Sequence, residues 1–106
     1  MVYLVDTIEV GSDEADRYVD LVQEEAVPLM NDAGAQLVAC WATSKEIGED
    51  VAVKVVWSCA DHVAWNEIRK NLVLDPRYYA YAARSASLRK GGDRRFYYPA
   101  SYSPIR

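Results

Sequence analysis

A chain of 106 residues, 51% of them hydrophobic, with a formal net charge of −4, is expected to be one domain with a real core rather than a disordered segment. Its acidic balance argues against a broad nucleic-acid surface. No apolar run approaches the roughly 18–20 residues that span a bilayer, and no charged start followed by an apolar core marks a secretion signal, so a cytoplasmic protein without a membrane partner is expected.

Val2–Val10 (VYLVDTIEV) is rich in β-branched and aromatic residues and reads as a strand. Val2, Leu4, Ile8 and Val10 lie on one face, Tyr3 and Val5 on the other, the pattern of a strand covered on both sides. Gly11-Ser12 ends it. Ser12 or Asp13 can cap a helix whose buried face carries Ala15, Tyr18, Val19, Val22, Ala26, Leu29 and Met30. Pro28 lacks a backbone donor, so a kink or restart is expected near Val27, and Asn31–Gly34 is the expected stop.

Ala35–Ser44 and Val51–Ser58 are the second and third strands, joined by the short charged hairpin Lys45–Asp50. Asp61 is placed to cap a second helix that ends in Asn71–Asp75. Pro76 then opens a further helical piece with Tyr78, Tyr81, Ala82, Ser85 and Leu88 along one side. Gly91-Gly92 is read as its break, and Asp93–Tyr98 as the last strand. Cys40 and Cys59 lack metal-ligand spacing and read as buried thiols.

The order βαββαβ predicts an α+β, ferredoxin-like fold: a four-stranded antiparallel sheet with the helices on one face. The apolar residues on the sheet's other face need a cover, and a second copy packed sheet to sheet would supply it as a two-fold homodimer. The C-terminal third is locally basic, with Arg84, Arg89, Lys90, Arg94 and Arg95 beside Phe96, Tyr97 and Tyr98. Such a patch can hold phosphates or single strands. Helix-end and edge-strand roles account for it as well, and no nucleic-acid partner is expected.

Several local features occur together: Glu24–Leu29 (EEAVPL), Gly34–Trp41 (GAQLVACW), Val55-Val56-Trp57, Arg69, Asp75-Pro76 followed by Tyr78 and Tyr81, and Tyr98-Pro99. In this order and spacing the chain resembles, over nearly its whole length, the dimeric α+β barrel superfamily and within it the NIPSNAP-type proteins. The first strand departs from the pattern: such proteins often carry an arginine there, and this chain has Asp6. The resemblance implies a homodimeric barrel with a cavity. It does not imply one reaction, since similar proteins include cofactor-free monooxygenases of aromatic polyketides, cyclases, isomerases, haem-degrading oxygenases and members without known activity.

Within that frame, His62 is the chain's single histidine and the only side chain whose unperturbed pKa lies near neutrality. It stands at the start of the second helix, on the sheet end where the first and third strands are both expected to finish, and Glu9 is the expected partner orienting it as a general base. A solvated first-turn residue is the alternative. Asp6 lies mid-strand, where a carboxylate is costly unless paired. Lys54 is its expected partner and Arg95 a second. Asp6 is either a structural ion pair or a catalytic acid or base.

Trp41, Trp57, Trp65 and Tyr3 are expected to line an apolar substrate pocket beneath the second helix, with Tyr78 or Tyr81 donating to a developing oxyanion. Trp65-Asn66 is similar to haem-degrading relatives, but no histidine follows His62, so haem is not expected. Gly-rich phosphate loops, paired-histidine spacing and nucleophile-elbow sequences are absent, and no cofactor or metal is expected. The expected function is proton-transfer chemistry on an apolar, oxygenated small molecule such as a polyketide, terpenoid or aromatic acid: cyclisation, isomerisation or cofactor-free monooxygenation. The alternative is a non-catalytic ligand-binding or stress-associated homodimer.

Overall fold

Alternation of apolar residues along the central strands decides which side of the sheet the helices cover. The computed structural model describes residues Met1–Arg106. It has β1 (Val2–Val10), α1 (Ala15–Leu21), a π-helical stretch (Val22–Ala26), α2 (Val27–Ala33), β2 (Gln36–Ala42), β3 (Val51–Cys59), α3 (His62–Val73), α4 (Pro76–Leu88) and β4 (Arg89–Tyr97). The four strands form one antiparallel sheet in the order β2-β3-β1-β4, the expected ferredoxin-like α+β arrangement. No helix is long and apolar enough to cross a membrane.

Val2, Leu4, Ile8 and Val10 of β1 are buried together with Val51, Val53, Val55, Trp57 and Cys59 of β3. Successive strand residues point to opposite faces, so these two sets share the helix-covered side. There they meet Tyr18, Val22, Leu29 and Met30 from the first helical layer and Trp65, Ile68 and Leu72 from α3. Tyr3, Val5 and Thr7 of β1 and Val56 of β3 stand on the opposite face.

Pro28 shapes the first helical layer further upstream than Val27. Without its N–H it cannot continue the α-helical ladder, and the turn before it widens so that the Val27 N–H reaches the Val22 carbonyl, five residues back. Gly34 then ends α2 at φ 118°, a backbone angle side chains other than hydrogen resist. The Ala35 N–H closes the stop on the Met30 carbonyl at 2.9 Å.

Asp61 caps α3 by accepting from the Ala64 N–H at 2.8 Å, and Asp75 caps α4 by accepting from the Arg77 N–H at 2.9 Å. Two expectations are corrected. Neither Ser12 nor Asp13 caps α1, which starts at Ala15 after a turn closed by the Glu14 N–H on the Gly11 carbonyl. Gly91 and Gly92 do not break the chain but lie inside β4, opposite Glu9 and Ile8. At Gly92 a Cβ would sit 2.8 Å from the Thr7 carbonyl oxygen, so this glycine permits close strand approach.

Candidate functional site

A cavity of about 400 Å³ opens between the helical layer and the β1–β4 half of the sheet. Ile8, Leu29, Met30 and Leu72 supply apolar walls, and Trp57, Tyr78 and Tyr81 supply aromatic ones. Its polar end is built by strand register. Asp6, an even-numbered residue of β1, shares the helix-facing side with its directly opposite partner on β4, Arg94.

The Arg94 guanidinium binds the Asp6 carboxylate two-pronged, Nε to Oδ1 at 2.6 Å and Nη2 to Oδ2 at 3.0 Å. The indole N–H of Trp57 donates to Oδ2 at 3.3 Å. Arg94 also lies 5.4 Å over the Trp65 ring, whose other neighbour is the edge of Phe96 at 5.8 Å. Burial works to lower the Arg94 pKa, but the hydrogen bonds and charge of Asp6 outweigh it and hold the guanidinium above its ordinary value.

A second polar group faces this pair from the helices. The Tyr18 hydroxyl and Ser85 Oγ are 2.8 Å apart and buried. Tyr81 precedes Ser85 by one turn of α4. Burial first, and then the neighbouring Tyr18, push its phenol well above the usual tyrosine range, so it is a neutral donor.

The partners expected for Asp6 are corrected. Register places Lys54 opposite Thr7, on the other face, where its ammonium donates to Thr7 Oγ1 at 2.9 Å. Arg95 pairs with Val5, also on the other face, and lies 3.5 Å from Asp93. Arg94 is the partner, one residue from the expected position.

His62 lies outside the cavity. It is exposed at the first turn of α3, with its ring 5.5 Å from Phe96 and 5.4 Å from Tyr98. Glu9 does not orient it, because antiparallel pairing sets the end of β3 beside the start of β1: Cys59 faces Val2, whereas Glu9 faces Ala52. Trp41 is 62% exposed on the edge strand β2, paired with Lys54 on the open face. Tyr3 also stands on that face. Trp65 is buried beneath Arg94 without lining the cavity. Of the residues singled out from sequence, Asp6, Trp57, Tyr78 and Tyr81 therefore come together.

Arg94, Tyr18 and Ser85 join the site without having been singled out for it. Tyr18 and Ser85 were legible as members of two apolar helical stripes. Buried hydroxyls require partners, so a tyrosine and a serine on facing stripes were the available signal. The remaining cations of the basic third are largely engaged: Arg84 with Glu25 at 2.8 Å and Lys90 with Asp50 at 2.7 Å. Cys40 and Cys59 are free thiols, Cys59 buried, and burial raises the pKa of both.

Comparison with known proteins places this geometry in a family. A model of the NIPSNAP family matches residues 3–104. A NIPSNAP family protein of unknown function from Agrobacterium tumefaciens strain C58 is similar at 22% identity with a TM-score of 0.82, over 100% of this chain and 94% of that one. An uncharacterized NIPSNAP domain protein from Burkholderia xenovorans gives 20% identity and a TM-score of 0.80, over 98% and 99% of the two chains. A protein assigned as an antibiotic biosynthesis monooxygenase from Caulobacter crescentus shares the fold at 14% identity and a TM-score of 0.61, over 94% and 90%. No curated protein matches the chain.

Proposed function

The chain belongs to the NIPSNAP family, and from that premise we propose that its cavity binds an apolar, oxygenated small molecule and moves a proton on it. The observation that carries this reading is the Asp6–Arg94 pair inside a cavity with apolar and aromatic walls, beside the neutral phenol of Tyr81. A carboxylate has about four acceptor positions. Two on Oδ2 are taken by Arg94 and Trp57 and one on Oδ1 by Arg94, which leaves one on Oδ1 to receive a proton. Of the five N–H donors of a guanidinium, Arg94 uses two on Asp6 and retains three.

Asp6 is thus the general base in place of His62, and Arg94 the cation beside it. An acidic C–H next to a ligand carbonyl gives its proton to Asp6 Oδ1, and the released electron pair moves onto the carbonyl oxygen, held by Arg94 N–H groups. Tyr81, with Tyr78 at the same wall, donates to that oxygen or orients the rings around it. Returning the proton at another carbon is isomerisation, and attack of the enolate on a second carbonyl is cyclisation. Addition of dioxygen as co-reactant to the same carbanion gives a hydroperoxide, and its loss of water leaves one oxygen on that carbon as a carbonyl; this is cofactor-free monooxygenation, the branch that the fold shared with the Caulobacter protein supports. The unit is proposed to be a homodimer closed over the open sheet face, where half-buried Tyr3 and Val5 and exposed Trp41 offer apolar surface. A dimeric mass by light scattering at micromolar concentration supports it, and a monomeric mass contradicts it.

The proton-transfer step is tested with 2-tetralone, a two-ring ketone with an acidic C–H, by following its exchange with solvent deuterium by NMR. The wild type accelerates exchange, Asp6→Asn loses the acceleration, and His62→Ala retains it. A specific observation favours a second reading, a non-catalytic binder: every buried side-chain nitrogen and oxygen already has a partner within the protein. Binding of 2-tetralone without accelerated exchange would select that reading.

A further inference from the structure

The charged side chains facing the cavity from the sheet are Asp6 and Arg94, which neutralise each other; Asp93 pairs with Thr7 and turns its carboxylate to Arg95 on the other face. Arg89 is exposed at the start of β4, where water and salt screen it. The fork of Arg94 that would grip a ligand carboxylate already grips Asp6, at 2.6 and 3.0 Å. A ligand carboxylate would have to displace Asp6 or stand against its charge in a partly enclosed site, where like charges repel more strongly than in water. The Tyr18 and Ser85 hydroxyls share one hydrogen bond, and the one O–H they keep serves any ligand oxygen, charged or not, so it does not discriminate.

What stays open at the ion pair itself is one acceptor position on Asp6 Oδ1 beside three donors of Arg94. A hydroxyl matches both at once, because its O–H donates while its oxygen accepts. A carboxylate has no donor to offer Asp6. Resting on the proton-transfer reading above, we propose that this cavity selects ligands that are uncharged in solution and present an enol or phenol hydroxyl to Asp6 and Arg94, and that Asp6 excludes carboxylic acids. Among the molecules expected from sequence, aromatic acids drop out and neutral phenolic or enolic ring compounds remain.

The experiment is isothermal titration of the full chain near neutral pH with three probes of one shape: 2-naphthol, naphthalene and 2-naphthoate. The naphthol is the aromatic counterpart of the enol of 2-tetralone. Three proteins are compared: wild type, Asp6→Asn, and Ala82→Leu, which narrows the cavity from an exposed position on α4. The wild type is expected to bind 2-naphthol at least about tenfold more tightly than either other probe. Asp6→Asn, with Arg94 left unneutralised, is expected to reverse the order of naphthol and naphthoate. Ala82→Leu is expected to weaken every probe that binds. Wild-type binding of 2-naphthoate as tight as that of 2-naphthol overturns the hydroxyl preference and leaves the cavity reading standing. Absence of binding by all three probes, or binding indifferent to Ala82→Leu, overturns the cavity reading and this inference together.

Discussion

Removing one member of the Asp6–Arg94 pair exposes how much the cavity depends on it. The side chain of Asp6 is 16% exposed and that of Arg94 39%, so the pair lies between two measured regimes. Fully exposed pairs contribute about 0.2–1 kcal/mol, and breaking a fully buried pair costs about 3–5 kcal/mol. Arg94→Met leaves Asp6 facing the cavity with the Trp57 N–H as its remaining donor, and we expect a loss of about 2 kcal/mol after allowing for solvent screening of the guanidinium. Asp6→Asn keeps an acceptor for Trp57 and Arg94 but loses the charge, and a loss of about 1–1.5 kcal/mol is expected, the difference between a hydrogen bond to a charged group and one to a neutral group.

The double variant should cost less than the two singles together, with a coupling of about 1 kcal/mol or more. Urea unfolding followed by tryptophan fluorescence measures this, provided the slope m stays constant across the four proteins. In a domain of this size each kcal/mol also moves the thermal midpoint by about 4–8 °C. A coupling below about 0.3 kcal/mol, the level at which independent sites add, would refute the claim that these two side chains act as one unit.

Three further outcomes follow from single residues. Burial raises the Tyr81 pKa, so its neutral form is favoured by folding; the contribution is complete below the unfolded value near 10 and is lost as pH rises above it toward the folded value. Phenolate absorbance and stability measured on the alkaline side should therefore show Tyr81→Phe losing less stability than wild type, and parallel losses would contradict this. Asp75 is held below the ordinary carboxylate range, chiefly by its side-chain hydrogen bond from Arg77, so its contribution is present above the unfolded value near 4 and is lost as pH falls through the folded one. Acid unfolding of Asp75→Asn should accordingly be flatter than that of wild type, and identical acid limbs would count against the pair. Gly34→Ala should cost about 1–2 kcal/mol in thermal unfolding, because φ is 118° and the new Cβ meets Ile68 Cγ1 at 3.3 Å; a neutral effect would show that the turn adapts.

The fold was legible because its signals are local. Alternation along Val2–Val10 decides which face is buried, Asp61 and Asp75 carry their cap bonds within three residues, and Pro76 opens α4 where its fixed φ suits. The site was less legible because it depends on strand register, and a one-residue slip moves a side chain to the other face. Lys54 and Arg95 were each one position from sharing a face with Asp6, and the residue that does, Arg94, is brought opposite it by the register shift between Glu9 and Val10, without which Asp93 would stand there. Gly91-Gly92 carries an ordinary break signal, and only the close approach of Thr7 gives it a place in a strand.

The same cause misplaced His62. Reading the ends of β1 and β3 as one end of the sheet put Glu9 beside the histidine, and antiparallel pairing sets them at opposite ends. Pro28 announced a disturbance but not its form. The widened turn over Val22–Ala26 depends on helix packing as well as on the missing N–H.

A crystal structure of the protein with 2-naphthol tests most directly whether the Asp6–Arg94 pair is the working end of a ligand cavity. The ligand is expected between α4 and β4, its ring against Leu29, Met30 and Trp57 and its oxygen within hydrogen-bond distance of both Asp6 Oδ1 and an Arg94 N–H. A naphthol bound on the open sheet face, or beside His62 and Tyr98, with the Asp6–Arg94 cavity empty, would contradict it.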